Sequence, residues 1–524
     1  MSQPAASSKV VSVRKPWAWD SIALELWLSI SILVFAAGAI HEFNRPIDEG
    51  GGTVFALAAR SYVHDGIIPL RGLMIVNNPP QGLETDWYLH WPPLFAILLA
   101  FAYRIFGESP STAHALMLAG VAVTALALFA AVNSSWGRRA GLWAVFAFLV
   151  LPPTYLFGHY LVSQTLVMPL LVLTVWCFFR SSQGAGSIWA WLGAIFLVLA
   201  ILISWEGLLL PAGFLISAVV ARDRRRLKLA LLYLATAVAS FFALLGFYIY
   251  NAQSLGAELF HTLMYRMGFS YGDLPTQRIH SLAKYPAEIV PGPLLFLRQH
   301  AIYLYVLGPI ALVAAAGMAI WIVLQRARPQ YRQLATLLFT LLSPWLLWII
   351  LMRNHGYIHE QQVLLATPAC AAAMGVAAGN LLGWGQSLEA QSRKLVNILL
   401  LAVVPTVLMM GMSRTILKLP VLSDSDYYYR PFGMAVGDDT PAGAVVLTAN
   451  ESPDVTYYSR RHVVRGVYDD ALLDQFRSRI IDAFPGAPVF LALLPRELAA
   501  FPRALQTYPI VKQTPELTLL RINP

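Results

Sequence analysis

Apolar residues in this chain come in long unbroken runs rather than in strict alternation, and short polar clusters separate the runs. A helix rises 1.5 Å per residue, so about 20 consecutive apolar residues cross the ~30 Å hydrocarbon layer of a bilayer. Inside that layer only a helix satisfies every backbone polar group within one segment. On this basis the runs predict eleven spans: about 22–41, 112–134, 140–158, 165–180, 188–204, 207–221, 229–250, 301–324, 334–352, 362–382 and 395–414. Pro93 to Phe106 is apolar but covers only about 14 residues, and it reads as a re-entrant or surface helix. The first run is longer than a signal-peptide core, so it is read as uncleaved.

The basic clusters orient these spans. They are Arg14/Lys15, Arg138/Arg139, Arg180, Arg222 to Lys228, Arg326/Arg328/Arg332 and Arg393/Lys394. Short basic loops stay on the cytoplasmic side, and one arrangement puts all six there. It makes 1–21 a cytoplasmic segment and 22–414 a transmembrane module with outside loops at 42–111 and 251–299. It also puts 415–524 outside. In that tail, short apolar runs (Ala444 to Thr448, Pro488 to Leu494) alternate with helical stretches (Ala471 to Phe484, Arg496 to Leu505), which predicts a small periplasmic α/β domain. The expected fold class is thus a polytopic α-helical membrane protein with an α/β domain outside the membrane.

Composition agrees. Of 524 residues, 57% are hydrophobic and 12% charged, against about 25% charged in soluble domains. The net charge of +9 is carried largely by the basic clusters between spans, so nucleic acid is not implied as a partner. Cys177 and Cys370 both fall in apolar runs, which leaves no disulfide framework and no cysteine-rich zinc site. Neither a Walker A loop nor GxGxxG occurs, so a nucleotide-driven pump and a dehydrogenase have no support.

Candidate chemistry gathers in the outside loops. Asp48 and Glu49 follow the exit of the first span directly. A carboxylate at a membrane face serves as a general base when partial burial raises its pKa toward the working range. The same two residues also suit the N-terminus of a helix beginning near Thr53, and the two roles are compatible. Further on come His90 beside Trp91, read either as orienting the acceptor or binding a metal or as an interface histidine of an aromatic belt, and the His159 to Thr165 loop with Gln164. Glu206 stands in a tight outer hairpin, where it either reaches water or, as an intramembrane carboxylate, is functional by default.

Several runs, taken in order, resemble one known group. They are Arg45-Pro46-x-Asp48-Glu49-Gly50, an Ala-x-x-Ala-Arg helix (Ala56 to Arg60) and Trp91-Pro92-Pro93-Leu94. Gly137 to Pro152, Ser204-Trp205-Glu206-Gly207, and His355 to Glu360 with Leu364 to Pro368 follow. Together they are similar to the GT-C glycosyltransferases, with the protein O-mannosyltransferases and lipid A aminoarabinose transferases nearest by pattern. The resemblance covers most of residues 20–415.

It implies inverting transfer of a sugar from a polyprenyl-phosphate carrier to an acceptor hydroxyl of a glycan, lipid or protein, on the periplasmic face of a bacterial inner membrane. Asp48 matches the residue that deprotonates the acceptor, and Glu49 would support it or bind the acceptor. Several members carry a second acidic residue in the loop after the third span, often as a ligand for Mg²⁺ or Mn²⁺; Gln164 stands near that place, which puts a metal in doubt. His159 and Gln164 then remain as hydrogen-bond partners of the acidic pair. A departing lipid phosphate gains charge that fixed cations stabilise, and the candidates are Arg266, Arg353, His355 and His359. For Arg353 a snorkelling side chain, and for Arg266 a solvated loop residue, are the plainer readings. For Tyr427 to Tyr429 and Tyr457/Tyr458, ordinary packing of the tail is the simpler account.

The alternative is a transporter or flippase of a lipid-linked sugar. Transport asks for charges near the middle of spans, where Glu25 is one of few candidates.

Overall fold

The computed structural model describes residues 18–43, 45–47, 51–76, 87–252, 263–264, 266–267, 329–353, 355, 359–406, 408–409, 429–450 and 453–523. The expected span at 301–324, most of the loop 251–299, and the pair Asp48 and Glu49 lie outside the described residues.

Helix α1 (Ala18–Glu42) leads to α2 (Gly51–His64), a short β1–β2 pair (Met74–Ile75, Trp87–Tyr88) and α3 (Leu94–Phe106). Then come α4 (Pro110–Val150), α5 (Pro152–Phe157), α6 (Ser163–Ser182) and α7 (Ser187–Ile203). A 3-10 turn, Trp205–Leu209, joins α7 to α8 (Leu210–Ala221), and α9 (Arg224–Ala252) follows. After α10 (Pro329–Leu351) a second 3-10 turn, Glu360–Ala366, enters α11 (Thr367–Gly385), and α12 (Ala390–Ile398) continues through a π turn, Leu399–Val403.

Among the described residues, five helices are long and apolar enough to cross a membrane: Pro110–Val150, Ser163–Ser182, Arg224–Asn251, Gln333–Leu351 and Gln361–Gly385. Shorter apolar helices, Ile22–Gly38, Leu94–Phe106, Ser187–Ile203 and Trp205–Ala221, stand beside them. Helix α4 holds the expected span 112–134 and the first part of 140–158 in one 41-residue element, and α5 continues the second. Gly137, with φ +84°, breaks the helical path there. That backbone region is costly for any residue with a Cβ. Gly141 returns against Phe129 and Asn133, so the two legs of α4 pack on each other. Glu25, exposed on α1, bonds Arg138 beside this kink at 2.9 Å, which is a surface pair rather than a buried transport charge.

The bundle is built by close backbone approach on the inside and by apolar side chains left outward. A Cβ on Gly375 of α11 would sit 2.6 Å from the Ala144 amide nitrogen of α4, so only glycine allows this contact. Leu126, Trp191, Val220 and Phe242 are all more than half exposed. An outward apolar face of that kind is what lipid tails cover. The chain is a membrane protein.

The C-terminal part forms a five-stranded sheet in the order β4-β3-β5-β7-β6. Its strands are β3 (Val445–Thr448), β4 (His462–Val464), β5 (Val489–Leu493), β6 (Ile510–Gln513) and β7 (Thr518–Arg521). The first three are parallel, whereas β7 runs antiparallel to both β5 and β6. Every residue of β3 and β5 is buried, because helices cover both faces. α15 (Asp470–Ala483) covers one face, and its N-terminus is capped by Asp469, whose carboxylate accepts from the Ala471 and Leu472 amides. α13 (Tyr429–Asp439) and α14 (Pro453–Ser459) cover the other. The short α16 (Pro502–Thr507) completes the unit.

Candidate active site

Three elements converge on Trp91. The β2 end brings Tyr88 and His90, the end of α10 brings Trp348 and His355, and Arg266 comes from the segment 266–267. Trp91 is held from below, since Tyr248 of α9 donates from its hydroxyl to the Trp91 carbonyl at 2.8 Å. Trp205 donates from its indole N–H to the His90 carbonyl at the same distance. Trp348 stacks on Trp91 with ring centres 5.9 Å apart, and His355 meets its edge at 5.6 Å. The Arg266 guanidinium lies 5.0 Å from the Trp91 ring centre, a cation–π contact, and bonds the Tyr88 side chain. Arg266 is therefore half-buried and engaged, not the solvated loop residue of the plainer reading.

Arg266, His90, His355 and His359 thus form one cluster. The rings of His355 and His359 are 4.3 Å apart. Burial, then the Arg266 charge, holds His90 down to about 3, and the same two causes hold His359 down to about 4. Burial likewise pushes His355 well below the ordinary imidazole range, with His359, Arg266 and His90 adding to it. The physical result is one fixed cation surrounded by neutral imidazoles. An anion entering the cluster meets a guanidinium suited to bidentate bonding and imidazole N–H donors. Arg353 lies half-buried just beyond the end of α10.

The second group is a buried carboxyl. Glu206 is 0% exposed, so of its two readings the water-facing one does not hold: the 3-10 turn folds it inward, where it meets Gln164 of α6. Gln164 Nε2 donates to its Oε1 at 2.7 Å, and the Ser204 hydroxyl donates to Oε2. Ser163 and Ser204 Oγ atoms are 3.3 Å apart. Burial pushes the carboxyl above its ordinary range, against the pull of these hydrogen bonds. The Gln362 side chain also bonds Glu206 and brings its amide nitrogen to 3.5 Å from His355 Nδ1. A polar path therefore joins the carboxyl to the imidazole cluster.

Described residues on either side of positions 48–50 are held by bonds to distant parts of the chain. His159 is buried beside His114, whose Nδ1 donates to the His159 carbonyl at 2.8 Å and whose Nε2 lies 3.4 Å from the Arg45 carbonyl. His159 is held down to about 3, chiefly by burial and then by His114. The Tyr458 hydroxyl donates to the Ile47 carbonyl at 2.8 Å. The Arg60 guanidinium lies 4.1 Å from the Tyr457 ring centre and donates to the Tyr457 carbonyl at 2.7 Å. Arg60 also pairs with Glu108 at 2.7 Å. Ordinary packing within the tail therefore does not describe Tyr457 and Tyr458, which reach the first loop.

Among the described residues no three His, Cys, Asp or Glu side chains stand close enough to share one metal ion. Glu206 has both oxygens engaged by Gln164 and Ser204. Among the described residues, this set does not fit a divalent cation.

Of the four expected phosphate contacts, Arg266, His355 and His359 come together, joined by His90, which the sequence assigns to the acceptor side; Arg353 lies beyond the end of α10. The sequence reading paired Gln164 only with the acidic loop, whereas Gln164 holds Glu206. It passed over His114, Trp348 and Gln362. His114 had one visible signal, the single ionisable residue in the leg of α4 before Gly137; Trp348 had none, being one of 15 tryptophans.

Residues 90–250 match the family model described as dolichyl-phosphate-mannose-protein mannosyltransferase. No curated protein sequence matches the chain. ArnT from Cupriavidus metallidurans bound to undecaprenyl phosphate is similar at 14% identity and TM-score 0.60, covering 94% of this chain and 98% of that one. The Archaeoglobus fulgidus oligosaccharyltransferase in its apo form is similar at 12% identity and TM-score 0.56, covering 90% of this chain and 69% of that one. AglB from the same organism, in complex with an inhibitory peptide and a dolichol-phosphate, is similar at 11% identity and TM-score 0.53, covering 91% and 69%. This chain therefore shares the fold of these structures, the GT-C fold.

Proposed function

We propose that the protein transfers a sugar from a polyprenyl-phosphate carrier to an acceptor hydroxyl, with inversion, on the periplasmic face of a bacterial inner membrane. The observation that carries this reading is the cluster of Arg266, His90, His355 and His359 around Trp91. A polyprenyl-phosphate sugar breaks at the bond between the anomeric carbon and the phosphate oxygen. The phosphate leaves with more negative charge than it had, so a fixed guanidinium and imidazole N–H donors bind it more tightly as the bond breaks. The ArnT and AglB structures that share the fold were obtained with undecaprenyl phosphate and dolichol-phosphate, which supports a lipid phosphate as the anion.

In this mechanism Asp48 takes the acceptor proton as the hydroxyl attacks the anomeric carbon, and Glu49 supports it. Arg353 adds positive charge at the membrane face. His159, packed with His114 against the Arg45 carbonyl, holds the loop that leads to Asp48. Glu206 and Gln164 hold the other side of the site through Gln362. The tail 415–524 is read as a periplasmic unit resting on the first loop.

The test is turnover of polyprenyl-phosphate sugars, labelled in the sugar, by protein purified into nanodiscs. Transfer or release of the sugar with formation of free polyprenyl phosphate supports the reading. Movement of intact lipid-linked sugar across sealed proteoliposomes, with no free carrier formed, replaces it with transport.

A further inference from the structure

Trp348 and His355 are both almost fully buried, at 2% and 4% exposure. The Trp348 indole N–H donates to His355 Nδ1 at 3.1 Å. An indole nitrogen is a donor only, so the atom that receives it holds a lone pair and no proton. Gln362, 1% exposed, brings its amide nitrogen to 3.5 Å from the same Nδ1. Both contacts fall on one edge of the ring. The indole settles the tautomer whatever the orientation of that amide. Trp348 is itself fixed by its stack on Trp91, at 23° between planes.

We propose that Trp348 is a positioning residue that holds His355 as the neutral Nε2–H tautomer, so that Nε2 donates a hydrogen bond to the phosphate of the lipid carrier. This rests on the reading of the cluster as the phosphate site. Its neighbours make the neutral form the useful one. Arg266 already supplies a full positive charge, and His359 and His90 stand beside His355. A second cation in that space would cost desolvation and mutual repulsion. A neutral donor adds a directed bond to the phosphate without either cost.

The experiment uses full-length protein labelled with ¹⁵N-histidine in nanodiscs, with His355 assigned by its loss in His355→Gln. The wild type is expected to show one Nε2–H state, and Trp348→Phe, which keeps an aromatic ring on Trp91, a mixture of both tautomers. Trp348→Phe is also expected to lower turnover about fivefold to tenfold, the effect of one neutral hydrogen bond, without changing the amount of folded protein. Protonated Nδ1 in the wild type, or an unchanged tautomer in Trp348→Phe, overturns the proposal. If Trp348→Phe does not fold, the wild-type spectrum alone decides. Undecaprenyl phosphate added to the wild type should move the Nε2 resonance, and lipid that binds without moving it removes the contact. Failure of that lipid to bind, with the tautomer as expected, overturns the phosphate reading and leaves the tautomer assignment standing.

Discussion

Thr53 Oγ1 donates a 2.6 Å hydrogen bond to Asp454 Oδ1, although 401 positions separate the two residues. Both are fully buried. Thr53 lies in the first turn of α2, just after the acidic segment, and Asp454 lies in the first turn of α14. With the bond from Tyr458 to the Ile47 carbonyl, the tail grips the chain on both sides of Asp48 and Glu49. The helix that follows the acidic pair is therefore held by residues from the far end of the sequence.

That relationship predicts a specific pattern of stability. Thr53→Val leaves a buried carboxylate short of a donor, which costs about 1–3 kcal/mol. Replacing both partners, as Thr53→Val with Asp454→Leu, should cost less than the sum of the two single changes. Thermal unfolding of the four proteins in one detergent measures this, and additive losses would mean the pair is not coupled.

Arg266 should matter for chemistry more than for folding. Arg266→Ala is expected to lower turnover about 10²- to 10³-fold. Arg266→Lys should recover only part of it, because an ammonium keeps the charge but loses the planar contact with Trp91 and the fork geometry. Initial rates with labelled donor decide it, and full activity in Arg266→Lys would limit the role to charge alone.

Acid should destabilise the fold. His90, His159 and His359 are held down from 6.5 to about 3, 3 and 4. Between those values and 6.5 the unfolded chain binds protons that the folded protein does not, so stability falls as pH falls through that window. Each contributes less than about 1.4 kcal/mol per pH unit. His90 and His359, being only half-buried, weigh less than His159. Unfolding temperatures from pH 7.5 to 4.5 should drop, with a smaller drop in His159→Gln.

Gly375→Ala should destabilise the bundle by about 1–3 kcal/mol. The new methyl would lie against the Ala144 amide nitrogen and the Ala140 carbonyl, backbone atoms that move only with their helix. Gly246→Ala, where a Cβ meets nothing, is the matched control.

What the sequence made legible follows from range. The helices α6, α7 and α9 fall close to the apolar runs that predicted them, because a span is a local property of some 20 residues. The runs at Ala444 to Thr448 and Pro488 to Leu494 contain β3 and β5. The eleven-span count is less direct: five helices meet the length and hydropathy of a span among the described residues, and one expected span and the first part of the next share α4 through Gly137. In the site, Arg266, His355 and His359 stood out as charged or titratable residues beside membrane faces. The inward turn of Glu206 was not legible, because Ser204-Trp205-Glu206-Gly207 reads equally as a wet hairpin until Gln164, some 40 positions away, is known to meet it. The bonds from Asp454 and Tyr458 to the first loop were hidden for the same reason. No local pattern marks a partner some 400 residues distant.

The central claim is that Asp48 is the general base of sugar transfer from a polyprenyl-phosphate donor, and the most direct measurement compares wild type with Asp48→Asn in nanodiscs. Positioned general bases contribute about 10²- to 10⁴-fold, so the variant should lose at least the lower figure in the rate of transfer while its unfolding temperature and its binding of undecaprenyl phosphate stay unchanged. Equal turnover by the two proteins would contradict the account and take Asp48 out of the mechanism.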